Sequence, residues 1–292
     1  MKKYKKDISR KRSILKMFIA ILCLIIIILI MAFLYILVNN NITYVLSDNS
    51  AKDVLEDEAK NSTPIIVNNT MLGGMYDKKF VSLEKYYLYS INKKDFEITM
   101  YGTNGKIGDY LISSISKSSS NDTTVNVLTS KENLILEYYG LDKKNQSALN
   151  ILKEVDQNDY DISVSKKALG LYRILNSSIK VSKVYEADIY KTGKVRLISI
   201  TNEPKKGMGA YSALIAYDTY TGKADCIKYN YVRNKNKAQD FGIITLKFVC
   251  DLNSDGINEL IVQDTKEFST TYSIIEYRDG KYVKILSSTQ KI

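Results

Sequence analysis

Residues 251–259, DLNSDGINE, carry oxygen-bearing side chains at alternate positions, a pattern suited to a hard cation. Asp251, Asn253 and Asp255 place three donors on one loop, and Gly256 permits the tight turn that makes them converge. The carbonyl of Ile257 supplies a fourth ligand and Glu259 a fifth, an all-oxygen set of the kind Ca²⁺ prefers. The sequence therefore predicts a structural Ca²⁺ site made of Asp251, Asn253, Asp255, Ile257 and Glu259. It is not an EF-hand, which needs Glu at the twelfth position and a helix beyond it. Val262 occupies that place, and Leu260-Ile261-Val262 reads as a strand. The plainer alternative is an Asx-type turn between strands, with no ion.

Other strings with catalytic overtones do not form a coherent set. Ser114, Ser163 and Ser177 each have Lys three residues on, and Ser47-Asp48-Asn49 and Lys191-Thr192-Gly193 complete the penicillin-enzyme signature. The order is wrong, because Ser47 precedes every candidate nucleophile. The chain has no histidine, which removes Ser-His and Cys-His catalysis and His-ligated zinc. Carboxylate pairs that would serve a glycosidase have no motif to single them out. The 23 tyrosines could offer sugar-binding platforms, but at strand spacing they fit sheet packing better. Cys226 and Cys250 stand either as a disulfide or as two buried thiols. No catalytic residue and no organic cofactor is assigned, and the chain is read as a non-enzyme.

These residues are set in a chain of β texture. Lys85–Tyr89, Phe96–Tyr101, Tyr110–Ile112 and Leu134–Tyr139 read as strands. Thr103–Lys106 reads as a hairpin turn centred on Asn104-Gly105, and the Ser-rich stretch Ser113–Asp122 as an exposed loop. Helical spacing predicts helices over Ser147–Val155 and Ser165–Asn176, with Ser165 as N-cap. A repeat follows at a spacing of 63 residues: the stretch beginning at Asp188 aligns with the one beginning at Asp251. Each copy then has a Tyr-Ser strand, at Tyr211–Ile215 and Tyr272–Ile275, and a Gly-Lys turn, at Gly222-Lys223 and Gly280-Lys281. In the first copy Tyr190 and Thr192 replace donors and Arg196 replaces the last carboxylate, so Arg196 is expected to pair with Asp188 in place of an ion.

The D-x-N-x-D-G-x-x-E string and the strand after it resemble the FG-GAP and VCBS-type calcium-loop repeats of extracellular proteins. That resemblance implies a loop joining two strands of a blade-like unit, with degenerate repeats at 180–235 and 244–292. Asn253 in the second donor place and Glu259 in the last depart from the usual Asp, though both keep an oxygen. Leu72-Gly73-Gly74-Met75-Tyr76 ahead of an Asp-Gly loop also resembles uncharacterised membrane-anchored exported proteins of clostridia, a resemblance that implies no activity.

The 292-residue chain has a net charge of +10 that is unevenly spread. Eight basic residues and Asp7 alone lie within 1–16, which leaves the remainder close to neutral. A near-neutral body lacks the footprint of a nucleic-acid binder. Met17–Val38 is free of charge and rich in Ile and Leu, long enough to cross a bilayer about 30 Å thick. The basic cluster before it places the N-terminus inside and the rest outside. No small-residue cleavage site follows, so an uncleaved anchor is expected.

The organisation read from the sequence is a basic tail (1–16), a transmembrane helix (17–38) and a stalk (39–64) closed by Pro64. An N-terminal β module (65–145) and a C-terminal module (146–292) with the two repeats follow, giving a mainly β (α+β) fold with one or two helices. Two repeats are too few to close a propeller. The expected function is a single-pass, cell-membrane-anchored, extracytoplasmic binding or scaffold module with a structural calcium loop. The alternatives are a cell-envelope polysaccharide-acting enzyme and an accessory or sensory subunit of a membrane complex.

Overall fold

Runs of β-branched and aromatic residues broken by Gly, Asn and Asp favour pleated strands over helices, and strands dominate the protein. The computed structural model describes residues 61–84, 97–117, 125–129, 137–143, 148–150, 152–170, 179–190, 194–202, 210–232 and 241–291. Among them are three antiparallel sheets and one helix. The expected transmembrane helix at 17–38, most of the stalk and the strand at Lys85–Tyr89 lie outside the described residues. No described helix is long and apolar enough to cross a membrane.

The first sheet holds β1 (Thr63–Val67), β2 (Thr70–Tyr76), β3 (Lys79–Ser82), β4 (Glu97–Gly102), β5 (Gly105–Lys117), β6 (Val125–Thr129) and β7 (Tyr139–Asp142). Its order is β1-β7-β4-β5-β6-β2-β3, and β1 also pairs with β2. Six strands therefore close into a ring, with β3 attached outside on β2. Tight turns at Asn68-Asn69 and Asp77-Lys78 hold four non-glycine residues at positive φ. Such turns match the twist of the strands they join.

The rest comprises β8 (Ala148–Asn150), β9 (Lys153–Glu154), helix α1 (Asp159–Gly170) and two four-stranded meanders. The first unit is β10 (Val181–Asp188), β11 (Lys194–Asn202), β12 (Ala210–Asp218) and β13 (Ala224–Val232). The second is β14 (Ile243–Asp251), β15 (Glu259–Lys266), β16 (Ser269–Arg278) and β17 (Lys281–Lys291). Leu197, aligned with Leu260, pairs with Ala216 in the first copy and Leu260 pairs with Ile275 in the second, a register two residues apart when the Tyr-Ser strands are aligned. Each unit gains a short fifth strand, β9 on β10 and β8 on β14.

Three cores hold these layers together. Leu197, Leu214 and Val195 meet Leu246, Val249, Leu260 and Val262 between the two units. Helix α1 packs Val164, Ala168 and Leu169 on the other face of the first unit, against Ile198, Tyr211 and Ile215. The third core crosses residue 145: Ile65, Leu72, Tyr101 and Tyr139 of the strand ring are continuous with Phe248, Leu252, Ile261 and Leu286 of the second unit. Each such side chain contributes roughly 1.5–3 kcal/mol when fully buried.

Several expectations give way here. The apolar spacing of 147–155 serves two edge strands, β8 and β9, and not a helix. The open edges of β10 and β14 supply hydrogen-bond partners that a short isolated helix lacks. The second helix begins earlier, at Asp159, and is described as far as Gly170; its predicted continuation to Asn176 lies outside the described residues. Its cap is Asn158, whose Oδ1 accepts the Asp161 amide at 2.9 Å while Asp161 Oδ2 accepts the Asn158 amide at 2.9 Å. That reciprocal pair satisfies two otherwise orphaned donors, and Ser165 sits buried inside the helix. The hairpin after β4 pairs Gly102 with Gly105, so its two-residue loop is Thr103-Asn104, and Gly105 takes φ 120° at the strand start. Ser113–Lys117 continue β5, because β6 offers them a ladder.

Candidate cation site

The connection between β14 and β15 is the loop singled out by its spacing. Asp251 ends β14, Glu259 opens β15, and the reversal uses positive φ at Ser254 (57°) and Gly256 (84°). Asp251 folds the loop: Oδ1 accepts the Asp255 amide at 3.1 Å and Oδ2 the Gly256 amide at 3.0 Å. Asn253 does the same locally, with Oδ1 accepting the Asp255 amide at 3.1 Å and Nδ2 donating to Asp255 Oδ2 at 3.0 Å. The Ile257 amide donates to Asp255 Oδ1 at 2.7 Å. These bonds account for the loop's shape.

Glu259 is different. It is wholly buried, and its Oε2 accepts the Leu252 amide at 2.8 Å. Its Oε1 has no hydrogen-bond partner among the described residues. Asp255, Glu259 and Glu276 each bring a carboxylate oxygen within 4.8 Å of the others. Glu276, on β16, is also buried, and Arg278 pairs with its Oε2. Burial pushes the Glu259 carboxyl up to about 8; the Leu252 amide opposes that rise, and the charges of Asp255, Asp251 and Glu276 add to it. A buried carboxylate crowded by like charges needs a proton or a cation. Calcium–oxygen bonds of about 2.3–2.6 Å separate opposite ligands by about 5 Å, so the cluster is of the right size for such an ion.

Of the five residues predicted from sequence, Asp255 and Glu259 enter this carboxylate cluster, while the carboxylate of Asp251 and the carboxamide of Asn253 brace the loop. Ile257 forms a bridge with Tyr190 of the first unit. Sequence reasoning missed Glu276, which lies 17 positions beyond Glu259. Its signal was the β15–β16 register: one step beyond the Leu260–Ile275 pair, Glu259 and Glu276 fall side by side.

The loop also sits where three sheets meet. Leu252 is buried in the core shared with the strand ring, and Lys78, in the β2–β3 turn, donates to the Ser254 carbonyl at 3.1 Å. The Asn258 amide donates to the Ile189 carbonyl at 2.8 Å, and its Nδ2 to the Asp188 carbonyl at 2.7 Å.

The first unit resolves the same place with side chains. Arg196, aligned with Glu259, is not used on Asp188 as expected. It donates through Nε to Asp161 Oδ1 at 2.9 Å and through Nη2 to Asp161 Oδ2 at 2.8 Å, with Nη1 on Glu186 Oε1 at 3.1 Å. The reason is geometric: Glu186 lies directly across the ladder from Arg196, and α1 delivers a buried Asp161. Tyr190, aligned with Asn253, donates to Asp218 Oδ2 at 2.8 Å and stacks on Tyr277 with ring centres 4.5 Å apart.

Two further features bear on the alternatives. Cys226 and Cys250 lie in separate cores and form no disulfide with each other. A cleft of about 440 Å³ is lined by Glu137, Glu154, Tyr185 and Lys247 among others, and its two acids are ion-paired, Glu137 with Lys247 and Glu154 with Lys183. No protein-family model, curated protein or solved structure matches the chain.

Proposed function

We propose that this protein is a membrane-anchored, extracytoplasmic binding or scaffold module of the cell envelope, in which Ca²⁺ bound at the 251–259 loop fixes the joint between the strand ring and the two repeat units. The anchor is the charge-free segment at 17–38 behind its basic cluster. The observation that carries the ion is the buried, unpartnered Oε1 of Glu259 among neighbouring acids. The ion's role is structural: it neutralises the acid cluster and holds Leu252 and Ser254 against the strand ring. Extracellular calcium modules work at roughly 10⁻⁴–10⁻³ M, a range suited to a site outside the cytoplasm.

The test is calcium binding by the full chain in detergent, measured calorimetrically beside an Asp255→Ala, Glu259→Gln variant. Saturable binding in the parent that the variant lacks is the expected result. No heat up to several millimolar, or equal binding by both proteins, would remove the ion from the reading and reduce the loop to a turn.

A further inference from the structure

We infer that Glu276 is a cation ligand contributed by β16, so that the site is completed across two strands and not within the loop alone; this rests on the calcium reading above. Three independent observations converge. A Glu276 carboxylate oxygen lies within 4.8 Å of those of Asp255 and Glu259, and the residue is only 6% exposed. Glu259 Oε1, in the same cluster, is buried with no hydrogen-bond partner. Two buried acids side by side on adjacent strands repel each other unless one takes a proton or a positive charge lies between them.

The internal repeat supplies the third observation. In the first unit the ladder pairs Arg196, aligned with Glu259, with Tyr217, the cross-strand place that Glu276 takes when the Leu260–Ile275 register is extended by one residue. The copy that has lost the carboxylates of Asp255 and Glu259 therefore also lacks the second acid. Asp255, Glu259 and Glu276 stand together in one copy, where the other has Thr192, Arg196 and Tyr217, as parts of one site would.

Arg278 takes one oxygen of Glu276 from the solvent side, its own side chain being mostly exposed. Its pairing with Oε2 leaves Oε1 of Glu276 as the oxygen assigned to the cation. The cluster brings three carboxylates together, those of Asp255, Glu259 and Glu276, rich enough in charge for calcium to compete with water. It also gives the ion a mechanical consequence, since a ligand on β16 ties the β15–β16 hairpin to the loop that touches the other two sheets.

The experiment compares calcium affinity and melting temperature of the full chain in detergent for the parent, Glu276→Gln and Arg278→Gln. In Glu276→Gln the dissociation constant rises at least tenfold, while the melting temperature in chelator stays level or increases, because a buried negative charge has gone. Arg278→Gln leaves the affinity unchanged or tighter. A Glu276→Gln protein that binds calcium within twofold of the parent overturns the assignment while the loop reading stands. A parent that binds no calcium overturns both.

Discussion

The two repeat units build the same four-stranded meander and then solve one electrostatic problem in opposite ways. In the first, the strand position after the loop carries a guanidinium, and acids arrive from the helix and the neighbouring strand to meet it. In the second, the same position carries a carboxylate, and its neighbours are further carboxylates. One copy has its cation covalently attached; in the proposed reading the other takes a diffusible ion at that place. The first loop turns its freed positions to packing, with Tyr190 reaching across to Asp218 and Tyr277.

The largest effect that would break this comparison is on the covalent side. Arg196→Ala strands Asp161, which is only 1% exposed, and removes the tie between α1 and the sheet. Breaking one partner of a buried ion pair costs about 3–5 kcal/mol. Denaturant unfolding should show a loss of that order with calcium present or absent. A loss below about 1 kcal/mol would mean Arg196 is not the counterpart of an ion.

On the diffusible side, a hundredfold excess of calcium over its dissociation constant stabilises the parent by about 2.7 kcal/mol. Chelator removes that increment, and differential scanning calorimetry reads it. Glu259→Gln sharpens the contrast, because it should abolish the calcium increment and at the same time raise stability in chelator by about 1 kcal/mol. A variant that is weaker in chelator than the parent would assign Glu259 an ordinary packing role.

The smallest effect concerns Tyr190. Burial alone would raise the Asp218 carboxyl, but hydrogen bonds from the Thr221 amide, the Tyr190 hydroxyl and the Tyr220 amide outweigh it and hold the group below the usual 3.8. A carboxyl lowered in the folded state adds stability above its unfolded pKa and loses it as the pH falls through the folded value. Tyr190→Phe should therefore cost about 0.5–1.5 kcal/mol at neutral pH and shrink toward zero in strong acid. A cost that does not change with pH would place the effect in the Tyr277 stack instead.

How far the sequence foretold this arrangement depended on the range of the contacts involved. Strand texture was legible because Val, Ile and Tyr runs between Gly and Asn turns are local signals, and Gly222 and Gly280 sit at positive φ where the turns were read. The Asp251–Glu259 spacing was equally local. The 147–155 segment was misread because its strand character comes from the edges of β10 and β14, which lie far along the chain. Glu276 was missed for the same reason: its place beside Glu259 is set by hairpin register, not by spacing within the loop. Arg196 was seen as a cation replacing a ligand, but its partner Asp161 belongs to a helix whose start could not be placed without the Asn158 cap. The anchor expected at 17–38 rests on the length of its charge-free run and the basic cluster before it.

The most direct test of the difference between the units is hydrogen exchange under native conditions, recorded segment by segment with and without saturating calcium. Calcium should slow exchange across 251–262 and 272–278 by at least tenfold and leave 183–199, around Arg196, essentially unchanged. Exchange in 251–262 that is the same in calcium and in chelator would contradict the account, and so would equal protection gained by both units.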